Sequence, residues 1–309
     1  MRNAFANKVT ELASIDDRAV LIAADIGNRM FDKFKERCEN RFYNCGIAEQ
    51  CMIGIAAGMA SSGLRPVTYT ITPFTTLRCL EQLRNDIAYP CLPVVIVGTG
   101  AGLSYSNLGV THHSLEDVAL IRTLPNFEIY CPGDAREVEL CLELAFDSEK
   151  PSYIRLGKKG EPVIHNSPPS SLSFGTSLKI KDGDRGLLLS MGNMLPLVCE
   201  ASVLLQKQGF RFSVHSALSV NPLPKEVIDA AILNNHKIFI IEEHYSSGGL
   251  GSAVLEYVNN GHRGYENLVY RIGYDLKFLS APGSQEEVRE SHSMNSQSLA
   301  NRIAFLLDQ

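Results

Sequence analysis

The chain has 309 residues, 45% of them hydrophobic, and a formal net charge of −5. That length suits two domains with sizeable cores, and an acidic balance with no Lys/Arg run excludes the electrostatic footprint of a nucleic-acid binder. No apolar run reaches membrane-spanning length and none marks a signal peptide, so a cytoplasmic protein without membrane partners is expected.

In chain order, short aliphatic runs alternate with longer helical patterns. Strands are predicted at 20–24, 66–70, 93–97, 127–130 and 152–155, with helices near 47–62, 75–88, 114–123 and 135–147. Continuous apolar strands separated by helices indicate a parallel sheet covered on both faces. The stretch 158–185 carries Pro162, Pro168, Pro169 and several serines and lysines, and reads as a linker. A second series follows, with strands at 186–190, 211–215, 238–241 and 269–272 and helices near 194–208, 224–234, 249–259 and 296–307. The expected class is therefore α/β with two domains, each a mainly parallel sheet flanked by helices. Their predicted limits are 1–160 and 186–309, joined by 161–185. The eight cysteines include no C-x-x-C pair and read as reduced thiols used as small hydrophobes, not a zinc site or disulfide framework.

One carboxylate stands out. Glu49 lies in Asn44-Cys-Gly-Ile-Ala-Glu-Gln-Cys51, which opens the small-residue run Ile53-Gly-Ile-Ala-Ala-Gly-Met-Ala60. A helix apolar on all sides is a buried helix, and a carboxylate buried without a cation is costly. Burial favours the protonated form and a helix N-terminus the ionised one. Such a Glu is either a group that interacts with the helix dipole or one poised for general acid/base work.

Gly46-Ile-Ala-Glu-Gln50 followed by a Gly/Ala-rich helix resembles the pyrimidine-binding domain of the transketolase and deoxyxylulose-phosphate synthase family. The resemblance continues, in family order, through Leu80-Glu-Gln-Leu-Arg-Asn-Asp86, Leu92-Pro-Val-Val-Ile96, Gly109-Val-Thr-His-His113, Leu124-Pro-Asn126, Cys131-Pro-Gly-Asp134 and Glu242-Glu-His-Tyr-Ser-Ser-Gly-Gly-Leu-Gly251. It implies that Glu49 hydrogen-bonds the aminopyrimidine of thiamine diphosphate and promotes proton loss from the thiazolium carbon. It also implies that an aromatic stacks on that ring, with Phe74 and Arg78 as the candidates for this wall. Alignment on Arg78 places Thr75, not Phe74, where the synthase branch has its aromatic.

The resemblance assigns His112 to proton transfer with substrate oxygens, a task suited to a side chain that titrates near working pH. His113, Arg155 and Lys158 are further substrate-binding candidates, the last two for a phosphate or carboxylate. Read alone, the histidines are solvated loop residues, the basic residues linker charges, and Glu242-Glu243-His244 with its glycines a tight strand-to-helix turn. Gly98-x-Gly100-x-Gly102 is no dinucleotide fingerprint, because a polar Ser-Tyr-Ser-Asn loop follows it and no helix begins there. Transketolases carry Asp where this chain has Leu108 and Pro where it has Val110, which leaves ketose phosphate specificity open.

The family's Mg²⁺ site, Gly-Asp-Gly followed at a distance by Asn, has only the near match Lys181-Asp-Gly-Asp184, inside the linker. No metal ligand is therefore assigned to this chain. A diphosphate-binding partner subunit is expected to carry the Mg²⁺ and to meet a homodimer of this chain in a heterotetramer. The expected function is the small subunit of a split, thiamine-diphosphate-dependent transketolase-like enzyme acting on a sugar. The alternatives are the β subunit of a 2-oxo acid dehydrogenase or an acyl-transferring synthase acting on a 2-oxo acid, and a non-catalytic partner that keeps the fold.

Overall fold

The computed structural model describes residues 1–158, 160–165, 175–279 and 283–307. Its strands in chain order are β1 Ala19–Ala23, β2 Phe42–Asn44, β3 Arg65–Ile71, β4 Val95–Thr99, β5 Glu128–Tyr130 and β6 Ser152–Leu156, then β7 Ser177–Lys181, β8 Leu187–Met191, β9 Ser213–Ala217, β10 Ser219–Asn221, β11 Ile238–Tyr245 and β12 Val269–Tyr274. They form a seven-stranded sheet in the order β10-β5-β6-β4-β3-β1-β2 and a five-stranded sheet in the order β12-β11-β8-β9-β7. All neighbours are parallel except β10–β5 and β7–β9. β1, β4, β6, β8 and β11 are buried at every residue, as expected of strands covered by helices on both faces. Both sheets are mainly parallel and helix-flanked, in agreement with the sequence pattern.

Every predicted strand is present, but three short ones were not foreseen. β2 is a three-residue edge. β7 lies inside the expected linker and closes the second sheet, so 177–181 is structured and not connecting chain. β10 comes from the second half of the sequence yet pairs with β5 of the first sheet, Ser219 opposite Tyr130. The spatial division therefore does not follow a single cut in the chain. Helices Arg2–Ile15 and Gln285–Ser291 were also unforeseen. The predicted helix 75–88 is broken into Thr72–Thr75, Leu80–Gln82 and a wider π-helical turn Leu83–Ala88. Pro73 sits in the first turn, where a missing N–H is harmless, and the bulky Thr75-Thr76 pair follows.

Helix Glu49–Ser61 buries Met52, Ile53, Ala56, Ala57 and Ala60 along one stripe. Its opposite face, Cys51, Gly54, Ile55 and Gly58, is exposed. The sequence expectation of a helix buried all round thus holds for only half its circumference in this chain. A Cβ at Gly54 or Gly58 would meet nothing within 4 Å. Among the described residues no helix is long and apolar enough to cross a membrane.

Candidate active site

The sequence candidates converge at the carboxyl ends of adjacent parallel strands, where open α/β sheets present their ligand crevices. Glu49 follows β2, Phe74 and Arg78 follow β3, His112 and His113 lie on the loop after β4, and Lys158 follows β6. Glu49 is 3% exposed and is not the lone carboxylate the sequence suggested. Arg78 Nη1 donates to Glu49 Oε2 at 2.6 Å, and Gln50 Nε2 donates to the Arg78 carbonyl at 3.0 Å. This ion pair offsets the cost of burying the carboxylate. The same guanidinium lies 4.2 Å from the centroid of the Phe74 ring, a cation–π contact. Phe74 in turn meets the His112 ring edge-on at 5.2 Å. Tyr105, which sequence reasoning missed, lies 6.3 Å beyond His112, and Lys158 Nζ sits 4.8 Å from the Tyr105 ring. The one available signal for Tyr105 was an aromatic residue inside an otherwise polar glycine-flanked loop.

A single row of contacts thus runs Glu49–Arg78–Phe74–His112–Tyr105–Lys158. It offers a buried carboxylate, a flat apolar face, an imidazole and a cation. Thr111 Oγ1 lies 3.0 Å from His112 Nδ1, which leaves Nε2 without a hydrogen-bond partner among the described residues. Burial first, then the neighbouring His113 and Arg78 charges, hold the His112 pKa below an ordinary histidine's 6.5. The ring is therefore neutral at pH 7 and takes up a proton only as the pH falls below the usual histidine range. A proton NMR titration of the ring should show this, and a midpoint above 6.5 would contradict the geometry.

Two candidates go elsewhere. His113 is buried, with Nε2 3.3 Å from the Ser106 carbonyl, so it shapes the loop. Arg155 is 1% exposed and faces the interior instead of the crevice. Its Nε donates to the buried Asp117 at 2.7 Å, and its Nη2 to the Ser114 and Glu243 carbonyls at 2.8 and 2.9 Å. The substrate contact expected of Arg155 is corrected to a strut between the two domains. His244 is also fully buried; Nδ1 lies 2.7 Å from the Tyr245 carbonyl, and burial lowers its pKa to about 4. Glu242 accepts the Leu250 and Gly251 amides at 2.8 and 3.0 Å, which supports the turn reading of that motif.

Asp134, Glu137 and His165 bring ligand atoms within 4.8 Å of one another, a spacing a metal ion could use. All their carboxylate oxygens are already engaged. Asp134 caps helix Ala135–Asp147 through the Arg136 and Glu137 amides and also accepts the Ile164 and His165 amides. Glu137 accepts from the Gly133 amide, Ser216 Oγ and His165 Nε2. That hydrogen bond raises the His165 pKa, so the cluster is an ion-paired clasp between domains. The crevice residues fit the aminopyrimidine half of thiamine diphosphate, a buried acceptor beside an aromatic face. No carboxylate set for a diphosphate-bound metal accompanies them among the described residues.

The pattern of the transketolase pyrimidine-binding domain matches residues 1–161, and that of the transketolase C-terminal domain matches 175–299. The chain belongs to the transketolase family. It is 33% identical to one of the separately encoded subunits of the apulose-4-phosphate transketolase of Phocaeicola vulgatus, over 82% of each chain. It is 32% identical to 1-deoxy-D-xylulose-5-phosphate synthase 2 of Geobacter sulfurreducens over 98% of its own length but only 48% of that protein. Among solved structures, a split-gene transketolase in the form of an inactive β4 tetramer superposes with a TM-score of 0.89 at 28% identity, covering 99% of this chain and 98% of the other. Pichia stipitis transketolase in complex with sedoheptulose 7-phosphate shares the fold, with a TM-score of 0.82 at 17% identity, and this chain spans 45% of its length. The chain thus has the extent of the split subunits and about half that of the single-chain relatives.

Proposed function

We propose that this chain is the pyrimidine-side subunit of a split, thiamine-diphosphate-dependent transketolase-like enzyme, active only with a diphosphate-binding partner that carries the Mg²⁺. The observation that carries the reading is the buried Glu49 carboxylate beside Phe74 and His112, at the start of a helix whose outer face is left open. A second copy or the partner would cover Cys51, Gly54, Ile55 and Gly58, giving a heterotetramer with two copies of each subunit.

When bound, the cofactor supplies a nucleophilic carbon for cleaving a bond next to a carbonyl. Glu49 holds and exchanges a proton with the ring nitrogen, and Phe74 provides the stacking face. Arg78 lies on that face here, so it swings aside to admit the ring; its side chain is 41% exposed and free to do so. His112, neutral at pH 7, accepts and returns the proton of a substrate hydroxyl. Lys158, beyond Tyr105, neutralises an anionic substrate end. These roles suit transfer of a two-carbon ketol unit from a ketose phosphate to an aldose, and one relative is named for a ketose phosphate.

A second reading, acyl transfer from a 2-oxo acid, is favoured by the loop tip, where half-exposed Leu108 and Val110 offer apolar contacts. Reconstitution with the partner, Mg²⁺ and cofactor separates the two. The expected result is turnover of sedoheptulose 7-phosphate with an aldose acceptor in a particle holding two copies of each subunit. Decarboxylation of pyruvate without ketol transfer would establish the second reading, and activity in a particle with one copy of each would refute the dimeric arrangement.

A further inference from the structure

The loop that carries His112 belongs in sequence to the first domain, yet both its ends are rooted in the second. Leu103 and Leu115, 0% and 1% exposed, are members of the second domain's hydrophobic cluster with Met194, Val198 and Tyr245. A two-residue bridge between Gly102 and Ser114 closes the loop just inside these anchors. The Leu103 amide donates to Glu243 Oε2 at 3.1 Å. That oxygen also accepts from Asn193 Nδ2 at 2.6 Å and Gln285 Nε2 at 2.8 Å, while Arg289 Nε meets Oε1 at 2.5 Å. Gly102 has a φ of +60°, and a Cβ there would overlap the Glu243 carboxylate. Ser106 Oγ donates to the Gly283 carbonyl at 2.8 Å. At the far end the Tyr245 amide donates to the Leu115 carbonyl at 2.8 Å.

We propose that Glu243 is a positioning residue for His112: through it the second domain sets the loop 103–115 against the crevice of the first. A fully buried carboxylate that accepts three neutral donors and one guanidinium fixes their relative placement, because any displacement leaves a buried polar group unpaired. This rests on the reading of His112 as the group that exchanges protons with substrate.

Glu243→Gln tests it. The guanidinium of Arg289 retains the amide oxygen, which turns the amide N–H₂ toward Leu103 N–H and deprives the loop of its acceptor. Arg289→Met is the control: it breaks the same buried ion pair but leaves all three neutral donors on Glu243. Ser106→Ala is a milder loop variant with little effect on folding. Hydrogen–deuterium exchange on the full chain should show faster exchange of 103–115 in Glu243→Gln and Ser106→Ala, with 49–61 unchanged and Arg289→Met close to wild type over the loop. Equal deprotection in Glu243→Gln and Arg289→Met, or none in either loop variant, would overturn the proposal. In the assembled enzyme Glu243→Gln should lower kcat for sedoheptulose 7-phosphate by roughly ten- to a hundredfold, the scale of a misplaced reacting group, with cofactor affinity unchanged. Loop deprotection with kcat intact would also overturn it. Failure of the wild-type assembly to bind thiamine diphosphate would count instead against the proposed function, since the exchange result does not depend on it.

Discussion

Glu49→Gln is expected to lower turnover of the assembled enzyme by at least about a hundredfold, the usual scale for an acid/base group, while the chain still folds and assembles. Gln keeps the shape and can still accept from Arg78 Nη1, which now lies 2.6 Å from the carboxylate. The substitution removes a charge from a site 3% exposed, and the partner left behind, Arg78, reaches solvent with a side chain 41% exposed. Little stability is therefore at stake. The proton that Glu49 holds and exchanges has no substitute, because among the described residues no other carboxylate lies in the row of contacts from Arg78 to Lys158. Steady-state kinetics on the reconstituted enzyme, beside a thermal melt, decides the matter. Turnover within a few-fold of wild type would contradict the assignment.

The second large effect is dependence on another polypeptide. The crevice supplies a ring acceptor and a stacking face, but no carboxylate set for a metal-bound diphosphate among the described residues. The diphosphate carries most of the cofactor's charge, so a chain without its cradle should hold the cofactor poorly. A partner that supplies the cradle adds its binding energy to both affinity and thermal stability by linkage. The relative solved as an inactive β4 tetramer fits a subunit that associates with itself when its partner is missing.

The strand pattern was legible because parallel strands buried on both faces are continuous apolar runs, and β1, β4, β8 and β11 are of that kind. Glu49, Phe74, Arg78, His112 and Lys158 were legible through short blocks in a fixed order, and the fold brings them together at one sheet edge. What was not legible depends on partners distant in sequence. Arg155 sits two positions before Gly157 and Lys158 and looked like another substrate cation. Its burial follows from Asp117, 38 residues upstream, and no local signal announces that pair. Glu49 looked unpaired because Arg78 lies 29 residues away. β10, at three residues, is too short to show a period, and its place in the first sheet is fixed only by pairing with β5. The anchoring of the His112 loop by Glu243 spans 140 residues, well outside any sequence window.

The most direct test of the split-enzyme reading is a calorimetric titration of thiamine diphosphate with Mg²⁺ into the purified chain, alone and after mixing with the diphosphate-binding subunit. Weak or undetectable heat is expected for the chain alone. One saturable site per pair of subunits is expected in the mixture, with a raised melting temperature. Tight, Mg²⁺-dependent binding to the chain alone would contradict it.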